Sequence, residues 1–595
     1  MTVDEVNVPT RENAAVIEES LRRMMAHLTT LIEADGLTSD AFVEIMSIYN
    51  NVAYIFLYLD AIDDEAALAS LQPWKAAFQR NDELDARMLA LLRNCRFEDR
   101  EIEASRREYI SQLEKVERYD QTIEDQLQGL LTRAKEVLGA VTADQAALLA
   151  RLGLRLGSAS VNAAYYKLLS QTESASVREK LARAFVAQRD CHRHALDEIV
   201  DEMIELRRRR ATIAGFPTVL AHTLERCRVS ASDVEGFLAR YLELSLEAHS
   251  RLEAEIRTTI DDDVAEPMIH LGYVMRNALG NHAPPLFQLQ ACLDYAFAVA
   301  NAVFGLAFER VESPSPDLIT VRAETIDGRA GEINFDLWDL GRKKLSANHT
   351  RGIRNRTEWR GIVQRPIAYV SCRFHGDGSG LNAITFQNVH SLFHEFGHAL
   401  NHLLIKRHVS YQSGLEYLPP ERLEYLSMWF EKWVYHDAFS SFLGGAVDED
   451  DLRRCRAIKL LEMQRTFVER AVAAFLDFDV HNRSDGGLRE SFERLDARFG
   501  ISDHCLFGDF PAYFTWPMYM ANPGASFSYL WGSADSCDRF ARFRGRALDE
   551  ISRKDEMPRF DVCFNFDAPS DVPPADAIFE FYGEASLFDL VDRHD

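Results

Sequence analysis

The sequence predicts a mainly α protein with a small β-sheet in its middle. Three observations predict it. Helical periodicity dominates residues 11 to about 310, short strand-like runs cluster between 318 and 374, and helical periodicity resumes near Gln387. Hydrophobic residues make up 47% of the 595 and charged residues 27%, which supplies a large core and excludes a disordered chain.

The elements follow in order. Between 102 and 138, Ile110, Leu113, Val116 and Tyr119 recur at threes among charges, the mark of long packed helices with few breakers. Gly215-Phe216-Pro217 marks a turn between helices, and Ser230-Ala231-Ser232-Asp233 reads as a capped helix start. The apolar run 295–308 has 14 residues, short of the roughly 20 a membrane span needs, and reads as a buried helix. The pattern changes at Pro314 and Pro316. The runs 318–323 and 332–338, with Asp327-Gly328 between them, read as a hairpin. A third strand spans 367–374 and ends in Gly376-Asp377-Gly378-Ser379-Gly380. A soft lobe boundary falls near 190, dividing an N-terminal helical region (1–190) from a catalytic region (191–595).

Composition narrows the partners. Lys plus Arg is 67 and Asp plus Glu 93, so the net charge is 67 − 93 = −26, which repels phosphate backbones. Nucleic acid is excluded as the main partner, and the run Arg207–Arg210 reads as a solvated helix face. Nine widely spaced cysteines with no C-x-x-C argue against a disulfide framework or a thiolate zinc site. No basic-then-apolar leader opens the chain at Met1 to Glu5, so the expectation is a reducing cytoplasm, with no membrane partner.

The chemistry concentrates in His394-Glu395-Phe396-Gly397-His398, an H-E-x-x-H motif with an accidental frequency of roughly 0.04 per chain of this length. Residues four apart share a helix face, so His394 and His398 converge on one Zn²⁺, while Glu395 contacts a water rather than the metal. Gly397 costs about 1 kcal/mol of helix propensity relative to Ala, which predicts a backbone packed closely against it. A catalytic zinc needs a third protein ligand. Glu424 and Glu431 lie 26 and 33 residues beyond His398, seven apart on one helix face. Glu424 suits the ligand and Glu431 sits further along. His402 shares the histidine face but lies about 12 Å from His394 by helical rise, too far for one ion, and reads as partly exposed or supporting a ligand.

These residues resemble the thimet oligopeptidase family of zinc metallopeptidases. The family's zinc helix reads H-E-F-G-H, and its third-ligand helix reads E-x-P-S-Q-x-x-E-x-W. Here the run from Glu424 to Trp433 keeps both Glu, Ser427 and the Trp and loses the Pro and Gln. Weaker matches extend over roughly 185–595: Glu205 to Phe216 with Val234 to Leu238, Asn334 to Trp338 with Arg342 and Lys344, and Pro366 to Val370. The resemblance implies a prolate, two-lobed, nearly all-helical zincin fold with a deep central channel, one zinc ion at its floor, short peptides as substrates and a monomeric state. It also implies that Glu395 is the general base and that Glu431 orients a zinc-ligand histidine.

The C-terminal segment departs from the family. Relatives carry F-G-H-L-x-G-G-Y-x-A-x-Y-Y-x-Y-L-W, whose His and Tyr hold substrate and oxyanion. Anchored on Tyr529-Leu530-Trp531, this chain keeps only the last Tyr. Asn522 and Ser526 replace two tyrosines, Pro517 stands near the His position, and a small gap brings Tyr519 into consideration. Tyr529 is thus the candidate oxyanion donor, with Tyr519 and Asn522 as candidate substrate contacts. Three functions stay open: a zinc oligopeptidase, a specialised biosynthetic zinc enzyme acting on one dedicated peptide or small amide, or a silent peptide-binding homologue.

Overall fold

The computed structural model describes residues 14–590, apart from 63, 80–81, 117–119, 155–159, 261–263, 280–283, 314, 316, 326–327, 329, 341–347, 376–381 and scattered positions between 552 and 569. Pro314, Pro316, Asp327, Arg342, Lys344, Tyr119, the 376–380 glycine run and the N-terminal Met1 to Glu5 therefore lie outside the described residues. The chain parts into two compact units, each drawn from three chain segments. The first comprises 1–118, 286–446 and 543–568; the second comprises 119–285, 447–542 and 569–595. The position near 190 lies inside the second unit, because long-range packing, not chain continuity, groups these helices.

The first unit is organised by a five-stranded sheet of β1 (Leu306–Arg310), β2 (Ile319–Thr325), β3 (Ala330–Trp338), β4 (His349–Arg354) and β5 (Ile367–Phe374), in the order β1-β2-β3-β5-β4. The expected hairpin is β2 with β3, antiparallel with Ile319 opposite Phe335, and Gly328 at φ +80 serves its connection. β3 and β5 run parallel. β5 is buried along almost its whole length, as a central strand covered on both faces must be. Alternate side chains serve the two faces. Tyr369 meets Tyr58 of the N-terminal helices. Phe335 meets Phe396 of the helix Phe386–Leu404.

The 295–308 run is not one helix. The helix Leu289–Phe304 stops at Gly305, which takes the left-handed conformation, and Leu306 opens β1. An apolar run cannot reveal such a break when both halves are buried. The helix Ser39–Ala61 is, among the described residues, the one long and apolar enough to cross a membrane; 72% of its apolar window is buried inside the protein. Its Phe42, Val43, Ile55 and Leu59 belong to the core that joins the N-terminal helices to the sheet.

The second unit is helical. Helix Gln121–Arg151, capped by Asp120, packs on Arg193–Ile213 through Leu127, Leu130, Ile199 and Met203. The 102–138 pattern thus belongs to two helices, Arg100–Val116 and Gln121–Arg151. Ser230 accepts a hydrogen bond from Asp233 N at 3.1 Å and starts the helix Ala231–Ile260, as its sequence anticipates. Arg207 overturns the solvated-face reading of Arg207–Arg210. It is 1% exposed and donates to the Tyr519 carbonyl at 3.0 Å, while Asp477 offsets its buried charge.

Candidate metal centre

The helix Phe386–Leu404 carries the histidines. Thr385 caps it by accepting a hydrogen bond from Asn388 N at 3.2 Å. Its apolar side is anchored by Phe396, whose ring packs against Phe297, Phe308, Phe335 and Phe430. Glu424 stands at the junction of the turn Pro420–Leu423 and the helix Tyr425–Lys432. The two helices approach closely at Gly397, where a Cβ would come within 2.5 Å of Ser427 Cα. This is the close backbone that the glycine implied.

That approach brings His394, His398 and Glu424 together. Each offers one ligand atom, and these lie within 4.8 Å of one another. Glu424 Oε2 lies 3.5 Å from His394 Nε2 and 3.3 Å from His398 Nε2. A tetrahedral ion with bonds of about 2.0–2.1 Å has donor–donor edges of about 3.3 Å. The two edges to Glu424 match that spacing, and two imidazoles with one carboxylate form a donor set suited to a zinc-like cation.

Supporting groups fix the donors. His394 Nδ1–H donates to Glu431 Oε1 at 2.5 Å, which turns its Nε2 toward Glu424. Glu431 Oε2 also lies 3.6 Å from His390 Nε2. Ser427 donates to Glu424 Oε2 at 3.1 Å. Among the described residues, the buried Nδ1 of His398 finds no such second anchor. Glu395 is 5% exposed and stands outside the ligand trio. Thr350 of β4 donates to its Oε2 at 2.8 Å.

The electrostatics favour a cation. Burial pushes the Glu424 carboxyl up, but His398 and His394 outweigh it and hold it at about 2. Burial also opposes charge on Glu431, and His390 and His394 again override it, so its pKa is lowered. Burial lowers the pKa of His394, yet the hydrogen bond and charge of Glu431, with Glu424 and Glu395, raise it to about 10. The same buried carboxylates would stabilise a metal cation that displaces the His394 proton.

His402 differs from its expected place. It is fully buried, its Nε2 lies 2.8 Å from the Arg354 carbonyl, and its ring fills the space beside Gly352. Burial lowers its pKa to about 4. It joins the histidine helix to β4 as a neutral ring.

Tyr519, Asn522 and Tyr529 belong to the second unit. Tyr519 is 3% exposed, with its ring against Tyr513 and Phe514. Asn522 is half-buried and ends the helix Pro517–Ala521, accepting from Ala525 N at 3.0 Å. Tyr529 is 38% exposed on the helix Phe527–Ala541. Asp477 holds the loop between them, accepting from Gly524 N at 3.0 Å and Ser526 N at 3.1 Å, and its Oδ1 lies 2.9 Å from His481 Nδ1.

The sequence reading missed Thr350, His390 and Asp477. His390 had a signal, because the four-residue spacing of 394 and 398 extends back to 390. Thr350 and Asp477 had none, since each acts across a long chain separation.

Residues 168–549 match the model of Peptidase family M3. The chain is 22% identical to Oligopeptidase A of Escherichia coli (strain K12) over 464 residues, covering 70% of this chain and 68% of that protein. It is 22% identical to the chloroplastic/mitochondrial Organellar oligopeptidase A of Arabidopsis thaliana over 424 residues, 65% of this chain and 53% of that one. The chain thus spans between about half and two-thirds of the length of these curated relatives. Among solved structures it resembles PZ peptidase A with inhibitor 2 (TM-score 0.54, 12% identity, 98% of this chain and 96% of that one). It also resembles a putative oligoendopeptidase F from Bacillus anthracis str. Ames (TM-score 0.51, 12% identity, 99% and 95%). These likenesses establish a mainly helical peptidase-like fold with small sheets.

Proposed function

The chain belongs to Peptidase family M3, and on that premise we propose that it hydrolyses peptide bonds of short peptides with one zinc ion held by His394, His398 and Glu424. The observation that carries this reading is the meeting of three donor atoms within 4.8 Å of one another, with the Glu395 carboxylate fixed on the histidine helix by Thr350. When bound, zinc supplies a Lewis acid that activates water and polarises the scissile carbonyl.

The protein's own groups do the rest. Thr350 holds Glu395 Oε2, which leaves Oε1 to accept the proton of the attacking water. Glu395 then hands that proton to the departing amine, so the carboxylate is regenerated in each cycle. Glu431 holds His394 in one tautomer, and Ser427 holds Glu424. Tyr529 is the proposed oxyanion donor, supported by the Tyr529-Leu530-Trp531 match. Asn522 and Tyr519 are the proposed substrate contacts, with the half-buried Asn522 the more accessible of the two. A reducing cytoplasm is the proposed compartment, on the odd number and wide spacing of the nine cysteines in the sequence. A monomer is the proposed state.

One observation favours a narrower substrate range. The loop from Asn522 to Ser526 is pinned by the buried Asp477, so recognition there is rigid rather than adaptable.

A panel of quenched short peptides tests the proposal together with metal analysis. Glu395→Gln should cut turnover by about 10²–10⁴ while retaining zinc. Retained turnover in that variant would sink the reading, and a wild-type protein that holds zinc but cleaves nothing would reveal a silent homologue.

A further inference from the structure

The second unit contains another set of metal-type donors. His249 and Glu253 lie one turn apart on the helix Ala231–Ile260, and His504 follows the short turn Ile501–Asp503. Each offers one ligand atom, and the three atoms lie within 4.8 Å of one another. The spacing of four between two donors on one helix, with a third donor from another element, repeats the plan of the first centre.

Several features set this cluster apart from a chance surface grouping. His249 occupies the buried stripe of its helix, between Ser245 and Leu252, and its side chain is only 8% exposed. Its Nδ1 is buried with no hydrogen-bond partner. Glu253 Oε1 lies 3.6 Å from His249 Nε2, longer than a hydrogen bond and typical of two ligands on one ion. The His249 and His504 rings stand edge to face, with centroids 5.1 Å apart. Two imidazoles that close would repel if both were protonated, whereas neutral rings can share a cation.

The turn that presents His504 is built firmly. Gly500 takes φ +67 to end the preceding helix, Ser502 N donates to Asp496 Oδ1 at 2.8 Å, and His504 N donates to the Ile501 carbonyl at 3.0 Å. The neighbouring Cys505 thiol points back to the Ile501 carbonyl and stays outside the donor trio. Glu253 and His504 are both partly exposed, so an ion has an entry path and a face for water.

We propose that His249, Glu253 and His504 form a second divalent transition-metal site, with a donor set suited to Zn²⁺, that ties the turn at 500–505 to the helix Ala231–Ile260. Two nitrogens and one carboxylate oxygen favour zinc, cobalt or nickel over magnesium or calcium.

The test uses the full chain, stripped with chelator and titrated with Zn²⁺ alone, with bound metal counted after desalting. Titration with Co²⁺ provides an absorption signature for nitrogen-rich tetrahedral sites. Wild type should bind two equivalents, and His394→Ala should keep the one belonging to the second site. His504→Ala and Glu253→Gln should each weaken that equivalent at least ten-fold. They should also lose its Co²⁺ band while circular dichroism reports an unchanged helical fold. An equivalent that survives His394→Ala but disappears in His504→Ala supports the site, whatever the first centre does. The proposal is overturned if His394→Ala binds no metal, or if its remaining equivalent is indifferent to both His504→Ala and Glu253→Gln.

Discussion

The histidine helix and the loop from Asn522 to Ser526 are built on opposite plans. In the helix, local spacing does most of the work. His394 and His398 share a face because they are four residues apart, and Glu424 arrives because Gly397 lets the next helix approach. In the loop, local sequence does little. Its backbone is held by Asp477, and Asp477 sits with His481 and Arg207 in a buried polar cluster assembled from two helices distant in the chain. The difference teaches how each region is specified: short-range spacing and one glycine set the histidine centre, while the loop depends on a carboxylate from a distant helix.

Substitutions should break this contrast in opposite ways. The largest stability effect is expected from Asp477→Ala, which leaves Arg207 buried without its countercharge and two loop amides unpaired. A loss of about 3–5 kcal/mol is expected, read by denaturant unfolding, with metal content unchanged. An equal loss of metal would show that the two regions are not independent. Glu431→Ala acts on the other region. It frees the His394 ring and should weaken zinc binding by about 10–100-fold with little change in unfolding, as a competing chelator would measure.

His402 sharpens the picture along one helix. Its folded pKa of about 4 lies below the usual 6.5 of the unfolded ring. The unfolded state therefore binds the extra proton between these values, and the neutral ring's stability is present above pH 6.5 and lost as pH falls toward 4. His402→Gln should flatten the stability profile by about 2 kcal/mol between pH 7 and pH 5. A profile identical to that of wild type would contradict the buried neutral ring. The smallest effect is expected at Gly397. An added Cβ pushes on the Ser427 backbone at a cost of about 1–3 kcal/mol, partly offset by about 1 kcal/mol of helix propensity. Gly397→Ala should thus cost about 0–2 kcal/mol in unfolding and also weaken zinc, because it moves Glu424 away from the histidines.

The same contrast explains what could be read from the sequence. The 3.6-residue period exposes His394, His398 and their carboxylate helix, and the two-residue alternation exposes the hairpin of β2 and β3. β4 escaped notice because His349–Arg354 is a short, polar edge strand without alternation, and with it went Thr350, which orients Glu395. The burial of Arg207 also escaped notice. A run of four arginines reads as solvent-facing until Asp477 and the Tyr519 carbonyl, roughly 270 and 310 positions further along, are seen beside it.

The most direct test of the central claim is an anomalous-difference map collected across the zinc absorption edge from crystals of the zinc-loaded protein. The account predicts a peak bounded by His394 Nε2, His398 Nε2 and Glu424 Oε2 at about 2.0–2.2 Å from each, with Glu395 outside bonding distance. A map with no peak among those three atoms, or one in which Glu395 replaces Glu424 as the ligand, would contradict it.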